Sequence, residues 1–222
     1  MTTAAKDVQT AIVLQGGGAL GAYEYGVLRA LYEQRPGFRP VAVAGVSIGA
    51  ITAAVLGGAR TDPISALDAL WRAKLTVSAP AGPLGLPAQV DRSLALLGNP
   101  GMYQLRAGLF TTPWLLTSFY DTSPLRQTLA ELVDPVRLNA DDPRVIVGAT
   151  NVGTGEMEFF DRDRPGGLTF EHVAASGSLP PGFPMTAIDG GMFWDGGLFS
   201  NAPLSPAINA LEEAPTRPRC GR

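Results

Sequence analysis

Ser47 lies at the centre of the pentapeptide Gly45-Val46-Ser47-Ile48-Gly49, which has the G-x-S-x-G spacing of a nucleophile elbow. In such an elbow a strand reverses sharply into a helix, and the serine between them is held in strained backbone geometry. Glycines two positions before and after the serine remove the Cβ atoms that would clash in so tight a turn. Ser47 Oγ would then project near the first N–H groups of the helix, which favour a developing anion. The alternative is a serine that only caps the helix in a glycine-rich turn.

A glycine-rich loop (GGGALG) runs from Gly16 to Gly21, after an apolar run and before a helical pattern. As G-x-G-x-x-G, satisfied by Gly16, Gly18 and Gly21, it would hold the pyrophosphate of a dinucleotide. That function also needs an acidic residue at the end of the second strand, where the chain has Ser47. As an oxyanion hole, the N–H groups of Gly16, Gly17 and Gly18 would point at a tetrahedral intermediate beside the serine. A plain turn for close packing of helix on strand is the third alternative.

The serine needs a base, and the single histidine, His172, does not give the order Ser, Asp, His of an α/β-hydrolase triad. We interpret His172 as a surface or capping histidine near the start of a helix. Asp195 is the better candidate, because Gly196 and Gly197 directly after it allow its carboxylate to approach Ser47. A buried Asp195 with few hydrogen-bond donors would have a raised pKa and accept the serine proton more readily.

Strands alternate with helices around these motifs. Short apolar or β-branched runs predict strands, and apolar residues at helical spacing predict helices. Strands joined by helices pair in parallel and have both faces covered, so we predict an α/β fold, a three-layer sandwich with a mainly parallel central sheet. The predicted strands are 10–14, 41–45, 145–150 and 157–160, and a hairpin tip is predicted at 189–190. The first predicted helix ends at Pro36 and Gly37, and the second, 50–56, ends at Gly57 and Gly58. Further helices are predicted to start at Asp62-Pro63 and at Ser123-Pro124, and a last one covers 203–211.

The length and composition favour one domain. A chain of 222 residues, 45% of them hydrophobic, can bury a core of its own. We assign residues 1–211 to a single catalytic domain and 212–222 to a frayed tail. Residues 76–120 are rich in proline and lack a regular pattern, which predicts an irregular lid or acyl-binding segment. Its apolar end, 109–120, would line an acyl-chain channel, touch a membrane surface or belong to the ordinary core.

Charge and rare residue types exclude several classes of protein. The 17 basic and 20 acidic side chains give a net charge of −3, so we expect no nucleic-acid partner. One cysteine and one histidine exclude a disulfide framework and a Cys/His metal site, and we expect no metal and no cofactor. The sequence shows no secretory signal and no apolar run of about 18 residues, which predicts a soluble cytoplasmic chain.

The glycine loop, the elbow around Ser47, and Asp195-Gly196-Gly197 followed by Asn201-Ala202-Pro203 resemble, in order and spacing, the patatin-like phospholipase family. The segment AASGSLPPGFP, at 174–184, is also similar to that family's stretch ahead of the aspartate. The resemblance extends from about residue 11 to 211. One departure is Leu20, where the family often carries arginine or lysine, and this departure bears on head-group preference.

The resemblance implies a Ser-Asp dyad without histidine. Ser47 would be the nucleophile, Asp195 the base, and the N–H groups of the Gly16–Gly18 loop the oxyanion hole. The implied activity is acyl-ester hydrolysis on phospholipids or related lipids, through an acyl-enzyme and with peripheral membrane contact. A nucleotide-binding domain and a non-catalytic lipid-binding relative remain alternative functions at this point.

Overall fold

The structure, a computed structural model, describes residues 9–76 and 98–214. The strands are β1 (Ala11–Leu14), β2 (Ala42–Val46), β3 (Gly98–Asn99), β4 (Tyr103–Leu105), β5 (Tyr120–Asp121), β6 (Arg144–Asn151), β7 (Met157–Phe160), β8 (Thr186–Ile188) and β9 (Gly191–Asp195). The α-helices are α1 (Gly21–Gln34), α2 (Ile48–Gly58), α3 (Pro63–Asp68), α4 (Ser123–Leu132), α5 (Pro135–Leu138), α6 (Phe170–Ser176) and α7 (Leu204–Glu213). A π-helical segment, Ala69–Lys74, continues α3, and 3₁₀ turns cover Gly18–Leu20, Ala107–Leu109, Pro113–Leu115 and Gly196–Leu198.

The central sheet is hydrogen bonded in the order β1-β2-β6-β9-β8, and β7 also pairs with β6. Strands β1, β2 and β6 are parallel, whereas β7, β8 and β9 join the sheet antiparallel. The predicted α/β fold with a mainly parallel central sheet flanked by helices is confirmed. The hairpin predicted with its tip at 189–190 is also present, and it turns at Asp189 and Gly190 with φ values of 49° and 83°, the two positive angles of a type I′ turn.

Alternating side chains of the central strands pack into two apolar layers, which explains the three-layer architecture. Val43 of β2 and Val145 of β6 belong to the larger core cluster, together with most of α2. Ala42 of β2 and Ile146 of β6 point to the other face and pack against α7. Helices therefore cover both faces of the sheet.

Helix α2 is buried along almost its whole length between the sheet and the helices around it. It begins two residues before the predicted start and includes Gly57 and Gly58, which the sequence analysis placed at its end. A Cβ at Gly57 would lie 2.3 Å from Val145 Cγ2, and one at Gly58 would lie 2.6 Å from Val133 Cγ1. These glycines let the helix pack closely against its neighbours.

The predicted irregular segment contains a small antiparallel sheet, β3-β4-β5, within its described part, 98–120. Phe110, Trp114 and Leu115 are 81%, 77% and 72% exposed, which excludes the ordinary core among the three alternatives for these side chains. Residues 77–97 of the same segment lie outside the described residues.

At the C-terminal side, α7 runs to Glu213, two residues into the predicted tail, and 215–222 lie outside the described residues. Among residues 9–76 and 98–214, no helix combines the length and the apolar character needed to cross a membrane.

Candidate active site

Ser47 is the single residue between the end of β2 and the start of α2, and its backbone has φ 56° and ψ −125°. A positive φ costs a non-glycine residue of this kind roughly 1–3 kcal/mol, so the surrounding structure must hold it. A Cβ at Gly45 would lie 2.3 Å from the Gly49 carbonyl oxygen, and a Cβ at Gly49 would lie 2.3 Å from that of Leu14. Both positions therefore require glycine, for the steric reason given by the sequence pattern.

Asp195 lies beside Ser47 because β9 pairs with the same edge of β6 as β2, directly beyond the end of β2. Val46, the last residue of β2, pairs with Gly148 of β6, and Asp195, the last residue of β9, pairs with Ala149. Strand β7 pairs with residues 147–150 of β6, which overlap both sets of partners, so β7 occupies the opposite edge. The two strands run towards each other and end at neighbouring residues of β6, which brings Ser47, the residue after β2, next to Asp195, the last residue of β9.

Ser47 Oγ donates a hydrogen bond of 2.7 Å to Asp195 Oδ2, and Gly197 N–H donates one of 2.8 Å to Asp195 Oδ1. Asp195 is only 2% exposed. Burial raises the pKa of the Asp195 carboxyl, while the hydrogen bonds from Ser47 and Gly197 oppose this rise. A Cβ at Gly196 would lie 2.5 Å from the Gly148 carbonyl oxygen, so a side chain here would push the aspartate turn away from β6.

The glycine loop lies directly beside the nucleophile, since a Cβ on Gly16 would be 3.1 Å from Ser47 Cβ. The Gly16 N–H donates to the Asn201 carbonyl at 3.1 Å, and Asn201 Nδ2 donates to the Gly16 carbonyl at 3.0 Å. The Gly16 N–H, which the sequence pattern placed in the oxyanion hole, therefore already has an acceptor. Gly18, with φ 57°, faces open space, because a Cβ there would have no atom within 4 Å. Gly17 and Gly18 are therefore left as the candidate donors.

Ser47 and Asp195 lie in the wall of a cavity of about 590 Å³. The remaining wall is mainly apolar and includes Ile48, Ile51, Trp71, Leu75, Met102, Leu179 and Phe183. Gly18 of the glycine loop also lines the cavity. Within the part of the chain that the structure describes, no group of three or more histidine, cysteine or acidic residues is placed to hold a metal ion.

The family model of the patatin-like phospholipases matches residues 12–208. The chain belongs to this family. A cGAMP-activated phospholipase of Pseudomonas aeruginosa is 30% identical to it over 204 residues, which cover 86% of this chain and 53% of that protein. VipD from Legionella pneumophila shares the fold, with a TM-score of 0.51 and 19% identity over 88% of this chain and 47% of its own. The patatin-like chain thus spans about half the length of these relatives.

His172 of this patatin-like chain is a capping residue, as expected, but it is buried instead of lying at the surface. Its Nδ1 accepts the Thr169 N–H at 2.9 Å in the capping box of α6, and its ring packs against Phe160 at a tilt of 37°, with the ring centroids 4.6 Å apart. The side chain is only 4% exposed, and burial lowers its pKa, with Arg164 lowering it further. No hydrogen bond joins His172 to Ser47, which is consistent with a base other than histidine.

Two residues at the site have roles that the sequence did not predict. Ser176 Oγ accepts the Ser47 N–H at 2.9 Å, and Asn201 ties the glycine loop to the segment after Asp195. Both lie in stretches that carry the family resemblance, 174–184 and 201–203. That resemblance was the only sequence signal for them, because their contacts join segments far apart in the chain.

Proposed function

We propose that this patatin-like chain hydrolyses acyl esters of lipids, with Ser47 as nucleophile and Asp195 as general base. The observation that carries the proposal is the 2.7 Å hydrogen bond from Ser47 Oγ to Asp195 Oδ2 in the wall of an apolar cavity. A nucleophile within hydrogen-bond reach of its base, with the base oriented by a third group, is the arrangement that covalent catalysis requires. Here the third group is the Gly197 N–H.

In the proposed mechanism, Ser47 Oγ attacks the ester carbonyl carbon while its proton passes to Asp195 Oδ2. The N–H groups of Gly17 and Gly18 stabilise the resulting oxyanion. The C–O bond to the leaving alcohol then breaks, the alcohol takes the proton from Asp195, and an acyl-enzyme remains. Water attacks the acyl-enzyme with Asp195 as base, which releases the carboxylic acid and restores the serine. The raised pKa of Asp195 makes it a stronger base than an exposed aspartate.

The cavity favours a substrate with an apolar acyl chain. Its volume of about 590 Å³ lies within the range of roughly 300–1,000 Å³ that is typical of small-molecule sites. The phospholipase of P. aeruginosa makes a phospholipid the first substrate to test. The dinucleotide alternative has less support, because Ser47 directly follows β2, where an acidic residue would hold the ribose, and the glycine loop packs against that serine.

The exposed apolar segment 107–119 supports contact with a lipid surface. It contains no charged residue, and the Phe119 N–H donates to the Pro181 carbonyl at 3.3 Å, next to the Leu179 wall of the cavity. Apolar side chains exposed beside an active site are typical of surfaces that bind membranes or partners. We expect the double substitution Phe110→Ser and Trp114→Ser to reduce co-sedimentation with phosphatidylcholine vesicles while hydrolysis of a soluble ester is retained.

Val136→Ser is the matched control for this surface. Val136 is 80% exposed on α5, and Asp134, two residues earlier, bonds to Gly58 at the end of α2 remote from Ser47. Its substitution should leave vesicle binding unchanged. Equal vesicle binding by the double variant and the original chain would refute contact through 107–119.

Labelling with a fluorophosphonate probe tests the proposed function most directly. We expect the probe to modify Ser47, the Ser47→Ala variant to remain unlabelled, and the original chain to hydrolyse p-nitrophenyl esters and release fatty acid from phosphatidylcholine. A folded chain that neither reacts with the probe nor turns over esters would contradict the proposal. Thermal stabilisation by NAD without labelling would support the nucleotide function instead.

A further inference from the structure

We infer that Ser176 is a positioning residue whose hydroxyl holds the backbone of Ser47 in the conformation that aims Oγ at Asp195. This inference rests on the proposed function, because it assigns a role in the same reaction. Ser176 is the last residue of α6 and is fully buried, with 0% of its surface exposed. It is therefore held in place by packing on every side.

The Ser176 hydroxyl makes two hydrogen bonds that fix its direction. Its oxygen accepts the Ser47 N–H at 2.9 Å, and its single proton is donated to the Gly148 carbonyl at 2.6 Å. A serine hydroxyl has only one proton, so this pattern leaves its oxygen free to act as the acceptor for Ser47. The side chain thus links the nucleophile's amide to a carbonyl of the central strand.

This link lies where pairing between β2 and β6 stops. Val46 and Gly148 are the last paired residues of the two strands, and Ser47 then leaves the sheet with a positive φ. A buried N–H that leaves a sheet must find another acceptor, because an unpaired buried amide is costly. The Ser176 hydroxyl supplies that acceptor and spans the gap between the Ser47 amide and β6.

The other side of Ser47 is fixed by α2. Its carbonyl accepts the N–H groups of Ala50 and Ile51 at 3.0 and 3.3 Å. The strained residue is therefore held at both its N–H and its carbonyl, and within residues 9–76 and 98–214 it is the side chain of Ser176 that holds the N–H. Without it, the residue can relax toward an ordinary backbone conformation, which moves Oγ away from Asp195.

The test compares Ser176→Ala with Ser178→Ala. Ser178 is also 0% exposed, and its hydroxyl bonds to the Ala174 carbonyl at 2.8 Å and the Thr186 hydroxyl at 3.0 Å. Alanine at 178 therefore removes a buried hydroxyl from the same segment without touching the Ser47 amide, and it keeps the Ser178 carbonyl that accepts the Asp195 N–H at 3.0 Å. Both variants should lower the melting temperature by similar amounts.

We expect Ser176→Ala to lower kcat for a p-nitrophenyl ester by at least about tenfold, and to slow fluorophosphonate labelling equally, with KM changed less than about twofold. The kcat is calculated per mole of Ser47 that the probe labels when the labelling reaction is complete. Unfolded protein therefore does not lower the measured kcat. Ser178→Ala should keep kcat within about twofold. Ser176→Cys, which keeps the side-chain shape with a larger γ atom and forms weaker hydrogen bonds, should give an intermediate rate and provides the measurement if the alanine variant does not fold.

Equal rates per labelled serine for the original chain and Ser176→Ala would overturn the positioning role while leaving the proposed function intact. Parallel losses in Ser176→Ala and Ser178→Ala would also overturn it, because they would indicate a general effect of lost buried hydroxyls. If the original chain does not react with the probe at all, the proposed function itself fails.

Discussion

Replacing Asp195 with asparagine should remove the proposed general base while it keeps the shape of the side chain. Asparagine has almost the same shape, and its Oδ1 can still accept the Gly197 N–H that now lies at 2.8 Å. At the position of Oδ2, however, an amide NH₂ group would face Ser47 Oγ and offer donors where the serine proton needs an acceptor. General base catalysis contributes typically about 10²–10⁴-fold to a rate, so kcat should fall by that factor.

The same substitution should not destabilise the fold at neutral pH. Burial raises the pKa of Asp195 above its ordinary value of 3.8, so the folded protein binds this proton more tightly than the unfolded chain. The resulting stabilisation is fully present below pH 3.8 and is lost as the pH rises through the raised pKa. Ionised Asp195 therefore lowers the free energy of unfolding at pH 7, by about 1.4 kcal/mol for each unit of pKa shift. Asparagine, which stays neutral, avoids this cost.

The assay is kcat for a p-nitrophenyl ester together with urea unfolding at pH 7, for the original chain and Asp195→Asn. We expect a large loss of activity with an unfolding free energy equal to or above that of the original chain. The pH–rate profile of the original chain should rise with an apparent pKa above 3.8, since only ionised Asp195 can accept the proton. Retention of more than a tenth of the activity would refute Asp195 as the base, and a clear loss of stability would refute the argument from its burial.

Three further substitutions, one of them paired with a control, test other parts of the site. Gly49→Ala would place a Cβ 2.3 Å from the Leu14 carbonyl oxygen and should lower the free energy of unfolding by about 1–3 kcal/mol. In the control Gly26→Ala, the new Cβ has no atom within 4 Å, so the free energy of unfolding should rise by about 0.5–1 kcal/mol. Urea unfolding midpoints measure both changes. His172→Ala should cost about 0.5–2 kcal/mol of stability through the lost cap but keep kcat within about twofold, and a loss of activity beyond that would implicate the histidine in catalysis. Asn201→Ala removes the 3.0 Å bond from Nδ2 to the Gly16 carbonyl and should lower kcat about tenfold with KM nearly unchanged, whereas an unchanged kcat would show that the backbone bond alone holds the loop.

Local sequence patterns were sufficient to predict the elements around Ser47. The strand, the turn and the helix at 41–56 are specified by neighbouring residues, and the glycine requirement follows from sterics within the turn and against the adjoining strand end. The hairpin tip at Asp189 and Gly190 was predictable for the same reason, since its positive φ angles suit those residue types. Asp195 was selected by elimination of His172 and by the glycines after it.

What the sequence could not indicate depends on contacts between distant segments. No local pattern shows that β9 lies antiparallel in line with β2, that Ser176 accepts the Ser47 amide, or that the Gly16 N–H is used by Asn201. The burial of His172 has the same origin, because its cap is a local feature whereas its packing against Phe160 is tertiary. The exposure of Trp114 could not be predicted from the sequence either, since apolar composition alone does not distinguish a core residue from a surface one.

Because β2 and β9 meet on one edge of β6, the site can form only late in the folding of the chain. The hydrogen bonds that close the site join residues 129, 148 and 185 positions apart, so it depends on contacts of very high contact order. Loop-closure entropy opposes such contacts until the sheet is complete. A chain still on the ribosome therefore carries Ser47 long before it carries Asp195. Under the proposed function, hydrolysis would begin only when the last strands have joined the sheet.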